Sequence, residues 1–425
     1  MGGEGLPDSI ALVRTARSHA IAVIEGNRTP AGLRAAHSAY PEVWARDAVI
    51  TCLGLVAAGV PSGLELLRDS LGSLESCQST LGRIPNHVVQ VEASHELHAD
   101  TLFAGAVDSS LWFIIGHGIL AQASGDAEQV RRHWPNLANA YRWLEYQDSN
   151  ECGLLEVHES MDWADLFANR YNSLLPNVLW FGANKSMASM ARSISADDAR
   201  FSARGADILF KINQLLWVGP ESKRDLSWTQ ANRAEWLFPQ RLVDAVLIER
   251  PYYLPYMGFR DYGDHFDSLG NLLAVIFEVA DERQSARILD YIVAAGINEP
   301  WPVKASWPVI SPGDKDWREY YRQYNLNLPH QYHNGGAWPF LGGFYVAALV
   351  KAGRLDHARK QLIKLAEMNR ASPAGPDWDF NEWFHGLSGH PMGHSRQSWS
   401  AGMFLFADAA VANGECPLFR TQDNW

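Results

Sequence analysis

Apolar residues return at every third or fourth position along most of this chain, and that spacing constrains its fold more than any other feature. Leu64, Leu67, Leu71 and Leu74 form one such stripe, and Ile208, Ile212, Leu215 and Leu216 form another. Stripes of this period belong to helices that bury one face. Helix-length patterns cover 8–25, 45–60, 62–79, 104–123, 126–146, 173–195, 198–217, 264–280, 282–295, 334–352, 354–370 and 397–413. The connections between them are polar, aromatic or rich in Gly and Pro, the longest near 148–170, 218–262, 296–333 and 371–396. Strand alternation in them is absent or brief. The chain is therefore expected to be all-α.

At 425 residues the chain is long enough for two ordinary domains or one large one. It shows no flexible linker, no low-complexity tract and no fixed repeat period of the kind a solenoid displays. The expectation is a single domain over 1–425, built from a helix pair repeated about six times. The long connections carry Trp, Tyr, His, Asp and Glu rather than Ser and Gly, which marks them as builders of a site.

Composition narrows the chemistry. With 47% hydrophobic and 20% charged residues the chain has the balance of a soluble globular protein. A net charge of −12, from 36 basic and 48 acidic residues, argues against nucleic acid as a partner. Cys52, Cys77, Cys152 and Cys416 are too dispersed for a disulfide scaffold or a zinc motif. Met1 to Ser9 carries no secretory signal, and no apolar run is long enough to span a membrane. A cytoplasmic protein with no membrane partner is expected, and assembly into a homo-oligomer is left open. The 17 Trp residues suit either a large aromatic core or the flat C–H faces of sugars.

Five clusters carry the candidate chemistry. Trp44-Ala45-Arg46-Asp47 opens an apolar helix, where an acid serves equally as a capping device or as half of a polar clamp. Val107-Asp108-Ser109-Ser110-Leu111-Trp112 places another acid before a strongly apolar helix, with Ser109 and Ser110 competing for the cap. Glu156 to Asp165 interleaves four acids, Asp162 and Asp165 among them, with Trp163. His333-Asn334-Gly335-Gly336-Ala337-Trp338-Pro339 is a turn leading into a helix. Asn381-Glu382-Trp383-Phe384-His385-Gly386 sets a Glu among aromatics, followed by His390, His394, Gln397 and Trp399. No metal is expected, because Gly386, Gly389, Pro391 and Gly393 keep His385, His390 and His394 off a regular helix face. Phosphate-loop, nucleophile-elbow and dinucleotide motifs are missing, so no cofactor is expected. What remains is carboxylates among aromatics and amides, the equipment for glycosidic cleavage.

The blocks WARD (44–47), GRIPNHV (82–88), VDSSLWF (107–113), Asp162-Trp163, HNGGAWP (333–339), NEWFHG (381–386) and QSWS (397–400) resemble, in order, those of the alkaline/neutral invertases. They are also similar to the amylo-α-1,6-glucosidase domain of glycogen debranching enzymes. The resemblance implies an (α/α)6 barrel, a toroid of six helical hairpins, and an inverting glycoside hydrolase acting on a small saccharide. It assigns Asp108 as general acid, held protonated by burial, and Glu382 as general base, held ionised, about 6.5–9.5 Å apart. It places Trp44, Arg46, Asp47, Trp112, Asp162, Trp163, His333, Asn334, Trp338, Gln397 and Trp399 around the substrate.

Two departures bear on the substrate. The debranching pattern usually has Tyr and Asp near the positions of Trp383 and His385, while His333 to Pro339 sits nearer the invertase pattern. No accessory carbohydrate domain is recognisable, so a small soluble substrate, sucrose or another α-glucoside, is expected over glycogen. Two further classes fit the residues: a sugar epimerase using His333, His385, His390 or His394 as acid and base, and a sugar-binding protein without turnover.

Overall fold

The computed structural model describes residues 5–90, 96–100, 106–219, 222, 224–247, 249–375 and 377–418. Its α-helices are α1 (Gly5–Gly26), α2 (Ala45–Ala57), α3 (Gly63–Ser76), α4 (Val107–Ser124), α5 (Ala127–Glu145), α6 (Leu174–Ser193), α7 (Ala199–Leu216), α8 (Leu226–Asn232), α9 (Leu237–Val246), α10 (Ser268–Ile276), α11 (Glu282–Ala294), α12 (Pro339–Lys351), α13 (Leu355–Arg370) and α14 (Ser398–Asn413). All twelve expected helices are present. The one expected over 104–123 begins at Val107, and the residues before Ala106, from 101, lie outside the described residues.

Two kinds of helix alternate, and their sequences say why. α4 is buried at every position from Val107 to Leu120, and α12 at every position from Pro339 to Val350, as expected of helices apolar on all sides. α3 buries only a stripe that includes Leu66, Leu67, Leu71 and Leu74. The outer helices also carry the clearer start signals: Asp126 accepts from the Gln129 amide to cap α5, and Asp281 with Gln284 forms a capping box on α11.

Six buried helices close a ring: α2 packs on α4, α4 on α6, α6 on α10, α10 on α12, α12 on α14, and α14 returns to α2. The last seam is tight, since a Cβ on Gly54 would lie 1.8 Å from the Gly402 carbonyl oxygen. α3, α5, α7 and α13 pack outside this ring, and α1 completes the outer layer against α13 and α14; α11 buries one stripe, with Ile288, Leu289 and Ile292. The architecture is an (α/α)6 barrel.

The connections are lopsided, and this positions the site. α2, α4, α6, α10 and α12 each pass to the following outer helix through a short turn, such as Gly125-Asp126 between α4 and α5. The long connections all run from an outer helix to the next inner N-terminus, so they gather at one mouth of the barrel. Short antiparallel pairings tie them together: Val43–Trp44 with His87–Gln90, Asn172–Ser173 with Tyr256–Met257, Phe266–Asp267 with Ser306–Trp307, and Trp383–Phe384 with Pro391–Met392. α8 and α9 occupy the connection between α7 and α10. Among the described residues no helix is long and apolar enough to cross a membrane.

Candidate active site

The mouth encloses a cavity of about 600 Å³. Its walls come from the N-termini of inner helices and the connections before them, so residues far apart in sequence meet there. Trp44, Arg46, Asp47, Trp163, His333, Trp338, Glu382 and Trp399 all line it.

Glu382 sits in the connection before α14 and is fixed from several sides. Its backbone N–H donates to the His394 carbonyl at 2.8 Å, and the His394 N–H donates to its Oε2 at 3.1 Å. Tyr40 Oη donates to Oε1 at 3.4 Å. Gly393, at φ +70°, leaves the room this needs, because a Cβ there would stand 2.5 Å from Oε2. Burial pushes the Glu382 carboxyl up to about 7, against the pull of the His394 amide, with smaller upward pushes from Asp47 and Asp165.

Across the cavity a buried cation gathers carboxylates. Arg46 Nη1 lies 3.3 Å from Oδ1 and 3.2 Å from Oδ2 of Asp108. Its Nε is 3.7 Å from Asp47 and its Nη2 is 3.8 Å from Asp165. Burial lifts the Asp108 carboxyl above its ordinary value while Arg46 opposes the rise. Asp47 is pushed up to about 7 and Asp165 to about 6, in both cases by burial first and against Arg46. Asp162, whose Oδ1 accepts from the Ala164 N–H at 2.8 Å, is pushed up to about 8 by burial and by the charges of Asp108 and Asp267. One guanidinium cannot neutralise this many buried carboxylates, so near neutrality the cluster retains protons.

Aromatic rings build the remaining wall. Trp163 meets Trp338 edge to face at 5.3 Å, and Trp399 stacks on Phe340 at 4.1 Å. His333 Nδ1 and Trp399 Nε1 are buried and meet no hydrogen-bond partner among the described residues.

Several expected site residues stand behind the wall rather than on it. Asp108 is fully buried beneath Arg46, and Trp112 is buried within α4. Neither Asp108 nor Asp47 caps its helix: the N-cap positions are Ala106 and Trp44, with no side-chain cap bond, and Ser109 and Ser110 lie inside α4. Asn334 holds its own loop, its Oδ1 accepting from the Ile310 N–H at 2.7 Å and its Nδ2 donating to the Ile310 carbonyl at 2.8 Å. Gln397 is buried at the start of α14, and Asp162 lies just beneath the surface. The expectation that Glu382 is ionised holds only above about pH 7, since burial raises its carboxyl to that value.

The structure also adds residues. Asp165, with 21% of its side chain exposed, lines the cavity with Tyr40, Glu42 and Tyr332. Asp165 belongs to the four-acid block, and only its company in that block signalled it. Tyr40 lies outside every motif. His385, His390 and His394 lie on and beside the Trp383–Phe384 hairpin, and it is the His394 backbone that serves the site.

Residues 237–414 match the family described as alkaline and neutral invertase. Among curated proteins, alkaline/neutral invertase E, chloroplastic, of Arabidopsis thaliana is 31% identical over 160 residues, covering 37% of this chain and 25% of that protein. The probable alkaline/neutral invertase D of the same plant is 28% identical over 255 residues, covering 54% of this chain and 45% of that protein. The chain thus spans a quarter to under half of the length of these curated relatives. Among solved structures, a mannosylglycerate hydrolase from Thermus thermophilus superposes with a TM-score of 0.64 at 13% identity, covering 92% of this chain and 99% of that one. A rhamnosidase from Klebsiella oxytoca superposes at 0.62 with 15% identity, covering 93% and 63%. At these identities the structural likeness carries the fold.

Proposed function

We propose that this chain is an inverting glycoside hydrolase that cleaves the terminal α-glucosidic bond of a small saccharide, sucrose or a similar α-glucoside. The observation that carries this reading is Glu382, a fixed carboxylate that loses its proton near neutrality, facing the carboxyl cluster around Arg46 across a sugar-sized cavity. In the reaction Glu382 takes a proton from water as the water oxygen attacks C1, and a carboxylic acid opposite gives its proton to the departing glycosidic oxygen. The match of residues 237–414 to the invertase family covers the Glu382 half of the site.

Asp108, Asp162 and Asp165 compete for the acid role. Asp108 is clamped by Arg46 and has no exposed surface, which suits a residue that holds the guanidinium in place. A general acid must instead keep its proton at neutral pH, and burial raises the Asp162 carboxyl to about 8. Asp165, raised to about 6, faces the cavity directly and would serve as a polar contact for sugar hydroxyls. The buried, unpartnered His333 Nδ1 and Trp399 Nε1 offer further contacts. Burial holds the His333 imidazole well below its ordinary value, which favours carboxylate chemistry over the histidine chemistry of an epimerase.

A panel of sucrose, trehalose, kojibiose, nigerose, maltose, isomaltose and glucosylglycerate, scored by released glucose, tests the class. Glu382→Gln should lower kcat by about 10²–10⁴-fold on whichever sugar is accepted. α-Glucosyl fluoride, whose leaving group needs no proton, separates the acids: Asp162→Asn should retain turnover of the fluoride while losing the disaccharide. The same pattern in Asp108→Asn alone would return the acid role to Asp108.

A further inference from the structure

Away from the mouth, three helices converge on a second polar cluster. Glu75 on α3, His117 on α4 and His133 on α5 each offer one ligand atom, and these atoms all lie within 4.8 Å of one another. His133 Nδ1 is 2.6 Å from Glu75 Oε2, and His117 Nε2 is 4.0 Å from the same oxygen. The two imidazole centroids are 5.1 Å apart. His117 follows Asp108 by nine residues on the same helix, about 14 Å along its axis, so this cluster is separate from the catalytic cavity.

His117 is the informative member. It is 5% exposed, its Nε2 is fully buried, and that atom has no hydrogen-bond partner among the described residues. A buried polar atom without a partner is costly and uncommon. The 4.0 Å gap to Glu75 is too long for an N–H···O bond, which ends near 3.2 Å. It is nearer the spacing of two ligands on one tetrahedral ion, about 3.4 Å for metal–ligand bonds of 2.0–2.2 Å, to which the 2.6 Å hydrogen bond between His133 and Glu75 would open when an ion replaces its proton. Glu75 and His133 remain 16% and 18% exposed, which gives an ion a route inward.

We propose that Glu75, His117 and His133 form a binding site for a divalent transition metal of the zinc class. Two imidazoles and a carboxylate suit such an ion better than magnesium or calcium, which prefer all-oxygen sets. Three protein ligands leave a fourth position for water. The ion would pin two outer helices, α3 and α5, to the inner helix α4 between them. Its role is structural, and the site stands whether or not the hydrolase reading holds.

The test uses the full chain after dialysis against a chelator, titrated with zinc chloride by calorimetry and followed by thermal unfolding. One zinc per chain is expected, with a Tm that rises with zinc concentration, because an ion bound only by the folded state stabilises it. Glu75→Gln and His133→Ala, both at partly exposed positions and checked for helicity by circular dichroism, should each weaken binding more than about tenfold and abolish the Tm response. Cobalt(II) provides a second readout: an intense visible spectrum of tetrahedral type in the parent protein, weakened in both variants. Failure to take up zinc, or one equivalent that survives both substitutions, as binding at His385, His390 and His394 would, overturns the proposal.

Discussion

Arg46 reaches from the first turn of α2 to Asp108 in the first turn of α4, its Nη1 within 3.3 Å of both carboxylate oxygens, with neither side chain more than 4% exposed. This pair joins two inner helices at the mouth and is the point from which the acid cluster is organised. Replacing Arg46 by Met strands Asp108, with Asp47 and Asp165 beside it. Removing one partner of a buried ion pair typically costs about 3–5 kcal/mol. The loss of stability in denaturant melts should be of that order at pH 8 and smaller at pH 5, where the raised carboxyls take up protons and need the cation less. A loss independent of pH would mean that Arg46 acts through packing alone.

The proposed roles set a pH profile for turnover. Glu382 must be ionised, so kcat/KM should climb as pH rises through about 7. Asp162 must be protonated, so the rate should fall as pH passes about 8. A narrow bell between neutral and mildly alkaline pH is the expected outcome of initial-rate measurements. A plateau extending down to pH 5 would contradict the assignment of the base.

Tyr40 tunes that lower limb. Its hydroxyl stabilises the Glu382 carboxylate, but at 3.4 Å the bond is long. Tyr40→Phe should therefore move the acidic limb to higher pH by less than about one unit, since a full unit corresponds to about 1.4 kcal/mol of differential interaction. Because the two limbs lie about one pH unit apart, the peak rate should fall as well, by less than about twofold.

The same burial that tunes Glu382 lowers the stability of the folded chain. Its folded-state pKa of about 7 lies above the ordinary 4.5, so the native state binds this proton more tightly than the unfolded state does. The group's favourable contribution is complete below about pH 4.5 and is lost as pH rises to about 7. Glu382→Gln, which carries no titrating proton, should gain in Tm relative to the parent between pH 4 and pH 8. A Tm difference independent of pH would show that Glu382 is not desolvated in solution.

The helical layers were legible in the sequence because their periodicity is local: all twelve expected helices are present, and of the stripe Leu64, Leu67, Leu71 and Leu74 the last three are buried and Leu64 is partly buried. α8 and α9 escaped because seven and ten residues, the second run containing Pro239, are too short to establish a period. At the mouth, motif residues next to inner helix starts, such as Arg46 and Asp47, could be read because a few neighbouring positions define them. Tyr40 could not, since it meets Glu382 only when the ring closes between α14 and α2. Nor could the seating of Asp108 behind Arg46, which depends on two helices 62 residues apart packing side by side. The Glu382 titration likewise reflects burial, which no short stretch of sequence encodes.

In the proposed reaction, water activated by Glu382 displaces the leaving group directly at C1. Proton NMR of the anomeric signals during the first minutes of hydrolysis of an accepted α-glucoside tests it most directly. With direct displacement, β-glucose appears first and the α anomer grows in only at the rate of mutarotation. Initial release of α-glucose, or conversion of a reducing sugar with no bond to a leaving group broken, would contradict it.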